Sequence, residues 1–195
     1  MTDFIGEYMI DTNICDKIIE YHQKSDKKHD GYVGFQQIIP DIKQSTDVAI
    51  HFDDEVAKEY FNVHLHQCLE KYLKTYMFAE IEQPTFRLKE KANIQYYPPG
   101  GGFKLWHYEH NANKPKDKEG VDYYPYMAKR HLVFMTYLNT VTDEGETEFF
   151  YQRRYIQPRK GLTLIWPAQW THAHKGVPSQ TQEKWIITGW YSYAN

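Results

Sequence analysis

Cysteine is almost missing from this chain: Cys15 and Cys68 are the two thiols in 195 residues, too few for a disulfide framework. The fold must therefore be held by its core, and the length suffices to bury one as a single domain without staples. An excess of charge of either sign is also missing. A net charge of −3 and a pI near 6.4 supply no basic field, which argues against nucleic acid as a partner. No stretch approaches the roughly 18 apolar residues of a membrane span. The start, Met-Thr-Asp-Phe-Ile-Gly-Glu-Tyr, lacks the basic and apolar regions of a signal peptide, so a soluble cytoplasmic protein with no membrane contact is expected. There is no internal repeat and no low-complexity tract, and nothing fixes an oligomeric state.

What the chain does have is rings. Aromatic residues make up 16% of it, 17 of them tyrosines, which calls for an interior or a groove lined by apolar faces with polar tips. Asp11-Thr12-Asn13 offers capping oxygens ahead of Ile14, Ile18, Ile19 and Tyr21, an apolar stripe at helical spacing that fades at Lys24 to Lys28. A short strand or loop follows from Gly31 to Pro40. Asp53-Asp54-Glu55 then opens a longer helix carrying Val56, Tyr60, Phe61, Leu65, Leu69, Tyr72, Leu73 and Tyr76, which Pro84 ends at the latest.

From Phe86 the pattern changes to short β-like runs, at 86–97, 103–109, 130–138, 147–151, 161–166 and 185–193. They are separated by turns such as Pro98-Pro99-Gly100-Gly101-Gly102 and Asp143-Glu144-Gly145. Helices first and many strands afterwards predict a mainly β fold with N-terminal helices: helical support over about 1–84 and a β-core over about 85–195.

The chemistry concentrates at His107-Tyr108-Glu109, answered by His172-Ala173-His174. Residues i and i+2 of a strand project to one side, so His107 and Glu109 can face one ion while Tyr108 points away. A distant histidine completes three ligands. Two imidazoles and a carboxylate on one face of an octahedral ion leave three positions open, the arrangement of non-haem Fe(II) oxygenases. His172 and His174 lie on the same face of any strand, so periodicity leaves both open. His64, His66 and Cys68 on a helix make a poor site, and His110 and His131 have no spacing argument. Gln152-Arg153-Arg154 with Arg159-Lys160 reads as a solvated hairpin.

Taken together, these motifs resemble the 2-oxoglutarate and Fe(II)-dependent dioxygenases of the prolyl 4-hydroxylase-like branch. The resemblance spans Ile94 to Tyr193: Tyr97-Pro98 with its glycine turn, His107-x-Glu109, Tyr137-Leu138-Asn139, Gly145-Glu146-Thr147-x-Phe149, Pro158-x-x-Gly161, then His174, Pro178, Lys184 and Trp190. It implies a double-stranded β-helix, a cupin-like jelly roll. It also implies Fe(II) held by His107, Glu109 and His174, because His174 has proline four places on and lysine ten places on, where His172 would need an insertion of two. Lys184 would bind the remote carboxylate of 2-oxoglutarate, helped by Tyr137 and Thr188. Tyr97 would line the cosubstrate pocket and Trp190 would wall it.

The implied reaction uses O2 and 2-oxoglutarate to hydroxylate an unactivated C–H bond, releasing succinate and CO2, with ascorbate stimulatory. The substrate implied is a prolyl residue in a peptide or protein; another side chain or a small metabolite is the alternative. From a different class, a non-catalytic cupin-like metal or ligand module is separated by 2-oxoglutarate turnover. The chain departs from the branch in having H-x-E where prolyl hydroxylases usually have H-x-D. Glutamate keeps the charge and the oxygen, and the presence of a carboxylate argues against the related halogenases. The polar, tyrosine-bearing segment Asn111–Lys129 follows the first two ligands and is expected to close over the substrate.

Overall fold

Eight consecutive residues, Arg130 to Tyr137, are buried, and their alternation organises the molecule. Leu132 and Phe134 pack with the helices, whereas Val133, Met135 and Tyr137 pack on the opposite face with Phe149, Leu164 and Trp166. A strand covered on both faces reads as a continuous apolar run, and this is the central one. The computed structural model describes residues 2–33, 37–110 and 127–194.

Strands β1 (Gly6–Met9), β2 (His29–Asp30), β3 (Thr46–Ile50), β4 (Phe86–Leu88), β5 (Ala92–Tyr97), β6 (Arg130–Tyr137), β9 (Leu162–Pro167) and β11 (Lys184–Tyr193) form the larger sheet. Its order is β1-β9-β6-β11-β5-β3-β2, with β4 also pairing β11, and every pairing is antiparallel. The smaller sheet runs β10-β7-β8, from β7 (Thr147–Phe149), β8 (Arg154–Ile156) and β10 (His174–Gly176). Two facing sheets with the helices outside one of them is the double-stranded β-helix expected. The N-terminal part is not helical alone, because it lends β1, β2 and β3 to the larger sheet. The run at 103–109 is not a regular strand either; only Phe103 and His107 make bridges, to Lys43 and His174.

Helix α1 (Thr12–Lys24) starts where the caps indicated, with the Asp11 carboxylate accepting from the Asn13 N–H at 2.9 Å. The second helical segment runs α2 (Glu55–Glu59), a π-helical stretch Tyr60–Leu65, and α3 (His66–Thr75). Bonding from i to i+5 brings residues five apart onto one side, and Tyr60 and Leu65 are both fully buried against the sheet. The Tyr60 hydroxyl is satisfied there by Thr136 Oγ1 at 2.8 Å, which in turn meets Thr163 Oγ1 at 2.7 Å. No helix among the described residues is long and apolar enough to cross a membrane. Residues 111–126, most of the segment expected to cover the substrate, lie outside the described residues; Met127–Lys129 is one 3-10 turn leading into β6.

Packing between neighbouring strands is tight at Gly189 in the middle of β11, where an added Cβ would stand 2.5 Å from Cζ of Phe134. Gly189→Ala should therefore destabilise the protein by about 1–3 kcal/mol through overpacking, read as a lower urea midpoint at unchanged m-value. An unchanged midpoint would mean that the Phe134 ring moves aside freely.

Candidate metal centre

Three side chains converge between the two sheets. Ligand atoms of His107, Glu109 and His174 all lie within 4.8 Å of one another. Glu109 Oε1 is 3.5 Å from Nε2 of His107 and 3.8 Å from Nε2 of His174. His107 and Glu109 reach one side without a regular strand: His107 pairs with His174, and the Glu109 and His110 N–H groups both donate to the Ala168 carbonyl.

The imidazoles are oriented from behind. Nδ1 of His107 lies 2.9 Å from the Leu105 carbonyl, and Nδ1 of His174 lies 2.9 Å from the His172 carbonyl. A carbonyl oxygen can only accept, so each Nδ1 carries a proton and each Nε2 is the nitrogen turned to the site. Aromatic rings brace them, with Phe103 stacked on His107 at 4.0 Å and Trp166 edge-on to His174 at 5.1 Å.

Charge is set for a cation. Burial by itself would raise the Glu109 carboxyl, but His107, then Arg130 and His174, hold it down to about 2. Burial, reinforced by His107, lowers His174 to about 3. At neutral pH Glu109 is thus a carboxylate and His174 an uncharged imidazole, and with the imidazole of His107 beside them the donor set fits a divalent transition metal.

His172 does not join them. A 3-10 turn, Trp170–His172, intervenes before β10 and breaks the strand alternation that left the two histidines equivalent. Nε2 of His172 instead meets the Asp3 carbonyl at 2.9 Å.

The expected cosubstrate residues share the same inner wall. Lys184 opposes Tyr97 across β11 and β5, with its Nζ 5.3 Å from the Tyr97 ring centroid. It donates to the Gly145 carbonyl at 2.9 Å and the Val177 carbonyl at 3.3 Å. No carboxylate among the described residues pairs with it, and burial, only partly opposed by Glu146, lowers it to about 8. A buried ammonium facing only carbonyl oxygens fits an incoming carboxylate. Thr188 and Trp190 follow on the same face of β11 at period 2, and the Thr188 hydroxyl donates to the Phe134 carbonyl at 2.9 Å. The Tyr137 hydroxyl donates to Thr147 Oγ1 at 2.6 Å, and Tyr97 donates to Gln95 Oε1 at 2.6 Å, so both phenols have partners within the protein.

The sequence profile of the 2OG-Fe(II) oxygenase superfamily matches residues 92–192, just over half of the chain. This protein belongs to that family. It is accordingly a 2-oxoglutarate-dependent dioxygenase, and the family's chemistry implies Fe(II), 2-oxoglutarate and O2. A search of curated proteins finds no match. The fold of this oxygenase is similar to that of a viral collagen prolyl hydroxylase from Paramecium bursaria Chlorella virus-1 in complex with 2OG. That likeness has 19% identity, covers 98% of this chain and 97% of that one, and has a TM-score of 0.69. A Pseudomonas putida prolyl-4-hydroxylase matches at 14% identity over 96% and 92% of the two chains, with a TM-score of 0.70. A Trichoplax adhaerens prolyl hydroxylase, in complex with a hypoxia inducible factor oxygen degradation domain peptide fragment, matches at 15% identity over 98% and 84%, with a TM-score of 0.72.

Sequence reasoning missed two charged residues of the oxygenase's inner wall, Arg130 and Glu90. Arg130 donates to Glu109 Oε2 at 3.0 Å and to both oxygens of Glu90. A cation just ahead of the apolar run Leu132–Met135 was a readable signal for Arg130; Glu90, in a loop of mixed charges, had none.

Proposed function

We propose that this oxygenase hydroxylates an unactivated C–H bond of a prolyl residue in a peptide or protein, using 2-oxoglutarate and O2 and releasing succinate and CO2. The observation that carries the hydroxylase reading is the convergence of two imidazole Nε2 atoms and Glu109 Oε1 on the same interior as the Lys184 ammonium, which meets only carbonyl oxygens among the described residues. His107, Glu109 and His174 would hold Fe(II), which when bound supplies the means to activate O2 and decarboxylate the 2-oxo acid.

The protein's own groups do the rest. Backbone carbonyls behind Nδ1 keep both histidines in the binding tautomer, and Glu109 supplies the negative charge that offsets the cation. Lys184 would take the remote carboxylate of 2-oxoglutarate, with Thr188 and Tyr137 beside it. Tyr97 and Trp190 would wall the pocket, and the apolar cluster of Val133, Met135, Phe149 and Trp166 keeps water from the reacting centre.

The prolyl assignment is supported by the names of the structural relatives, one of which holds a peptide. Another side chain or a small metabolite is the second reading, because the metal centre and Lys184 serve any C–H substrate alike. Incubation with Fe(II), 2-oxoglutarate and ascorbate, expected to be stimulatory, should produce succinate and add one oxygen to proline-containing peptides, seen by mass spectrometry. Succinate formation with oxygen found in other side chains or in a metabolite would discard the prolyl assignment and leave the hydroxylase standing.

A further inference from the structure

Glutamate in place of aspartate at the carboxylate position adds a rotatable bond, and the structure contains a device that removes the resulting freedom. Arg130 is only 7% exposed. Its guanidinium carbon lies 3.4 Å from the ring centroid of Trp190, so the plane is fixed on one side by an indole face. Glu90 grips it in a fork: Nε donates to Oε1 at 2.9 Å and Nη2 to Oε2. Ser192 also donates to Glu90 Oε1, at 3.4 Å. With those positions taken, Nη1 is left to donate to Glu109 Oε2 at 3.0 Å. The two Glu109 oxygens are thereby divided: Oε2 is held by arginine, and Oε1 is turned toward the two histidine Nε2 atoms.

We infer that the Glu90–Arg130 pair is a positioning clamp that makes Glu109 a one-oxygen ligand and keeps the remaining coordination positions clear for cosubstrate and O2. The inference rests on the metal-centre reading above. Released from the clamp, the longer side chain would be free to swing away from the two histidines. Arg130 and Glu90 act through Glu109, and neither is a ligand itself.

A positioning role and a mere charge effect have opposite signs here. As a cation beside a divalent ion, Arg130 repels it, so replacement by a neutral residue would tighten metal binding if charge were all that mattered. Titrating Mn(II) into the full chain and following free Mn(II) by electron paramagnetic resonance measures this without turnover. Arg130→Met should weaken Mn(II) binding, on the order of 10- to 100-fold. Arg130→Lys, which keeps the charge but cannot hold both carboxylates, should fall between Met and the unaltered protein.

The specific check is the same change in a Glu109→Asp background. The shorter carboxylate is withdrawn from Arg130, so Arg130→Met should cost little there. Tighter or unchanged binding in Arg130→Met, or equal losses in both backgrounds, overturns the clamp. Where Arg130→Met fails to fold, Arg130→Lys in the two backgrounds decides between the same outcomes. If the unaltered protein binds no Mn(II), the metal-centre reading falls and takes the clamp with it; binding that ignores Arg130 removes the clamp alone.

Discussion

Mn(II) or Fe(II) binding should be abolished by His174→Ala and largely retained by His172→Ala. His174 presents Nε2 to the carboxylate of Glu109, with its own Nδ1–H anchored on the His172 carbonyl, so alanine deletes one of three donors and leaves two. The loss should exceed the roughly 100-fold that changes outside the donor set reach. His172 is buried with its Nε2 on the Asp3 carbonyl, and its removal leaves that carbonyl short of a partner. The expected cost is about 1–3 kcal/mol of stability with little change in metal affinity. Isothermal titration on both variants, alongside their urea midpoints, separates the two effects. Metal binding lost in His172→Ala and kept in His174→Ala would move the third ligand to His172.

Lys184→Ala should weaken 2-oxoglutarate binding to the Mn(II)-loaded protein by about 2–5 kcal/mol, the usual cost of removing one member of a buried charge pair. Metal affinity should change far less, since Lys184 touches the Gly145 and Val177 carbonyls rather than the three donors. A pH dependence accompanies it. Burial lowers Lys184 to about 8 in the free protein, and a carboxylate beside the ammonium raises it again. Above pH 8 the complex therefore holds more protons than the free protein, so binding takes up protons and weakens as pH rises through about 8. Lys184→Ala should remove that part of the pH dependence. A titration with unchanged affinity would place the remote carboxylate elsewhere.

Much of this molecule was legible in the order of its residues. The Asp11 cap announced α1, continuous or alternating apolar runs announced β6, β9 and β11, the spacing of His107 and Glu109 suggested a metal chemistry, and the ordered motifs from Tyr97 to Trp190 carried the resemblance to a family. Those signals are local: a cap acts within one turn, and burial on a strand repeats every second residue. The contribution of β1 and β3 to the larger sheet was not legible, because Gly6–Met9 and Thr46–Ile50 are short and acquire meaning only from their partners in β9 and β5.

Tertiary structure also places His172 and His174 differently. Strand periodicity treats them alike, and only the 3-10 turn at Trp170–His172, set by how the chain meets Ala168 and β10, turns one ring to Asp3 and the other to Glu109. The same holds for the contacts among Glu90, Arg130, Trp190 and Glu109, which stand apart in the chain and meet only where β6, β11 and the loops beside them come together. Sequence by itself determined which chemical groups were present and which face of its own element each would occupy. Pairing between distant strands, governed by packing across the whole sheet, determined which of those groups touch.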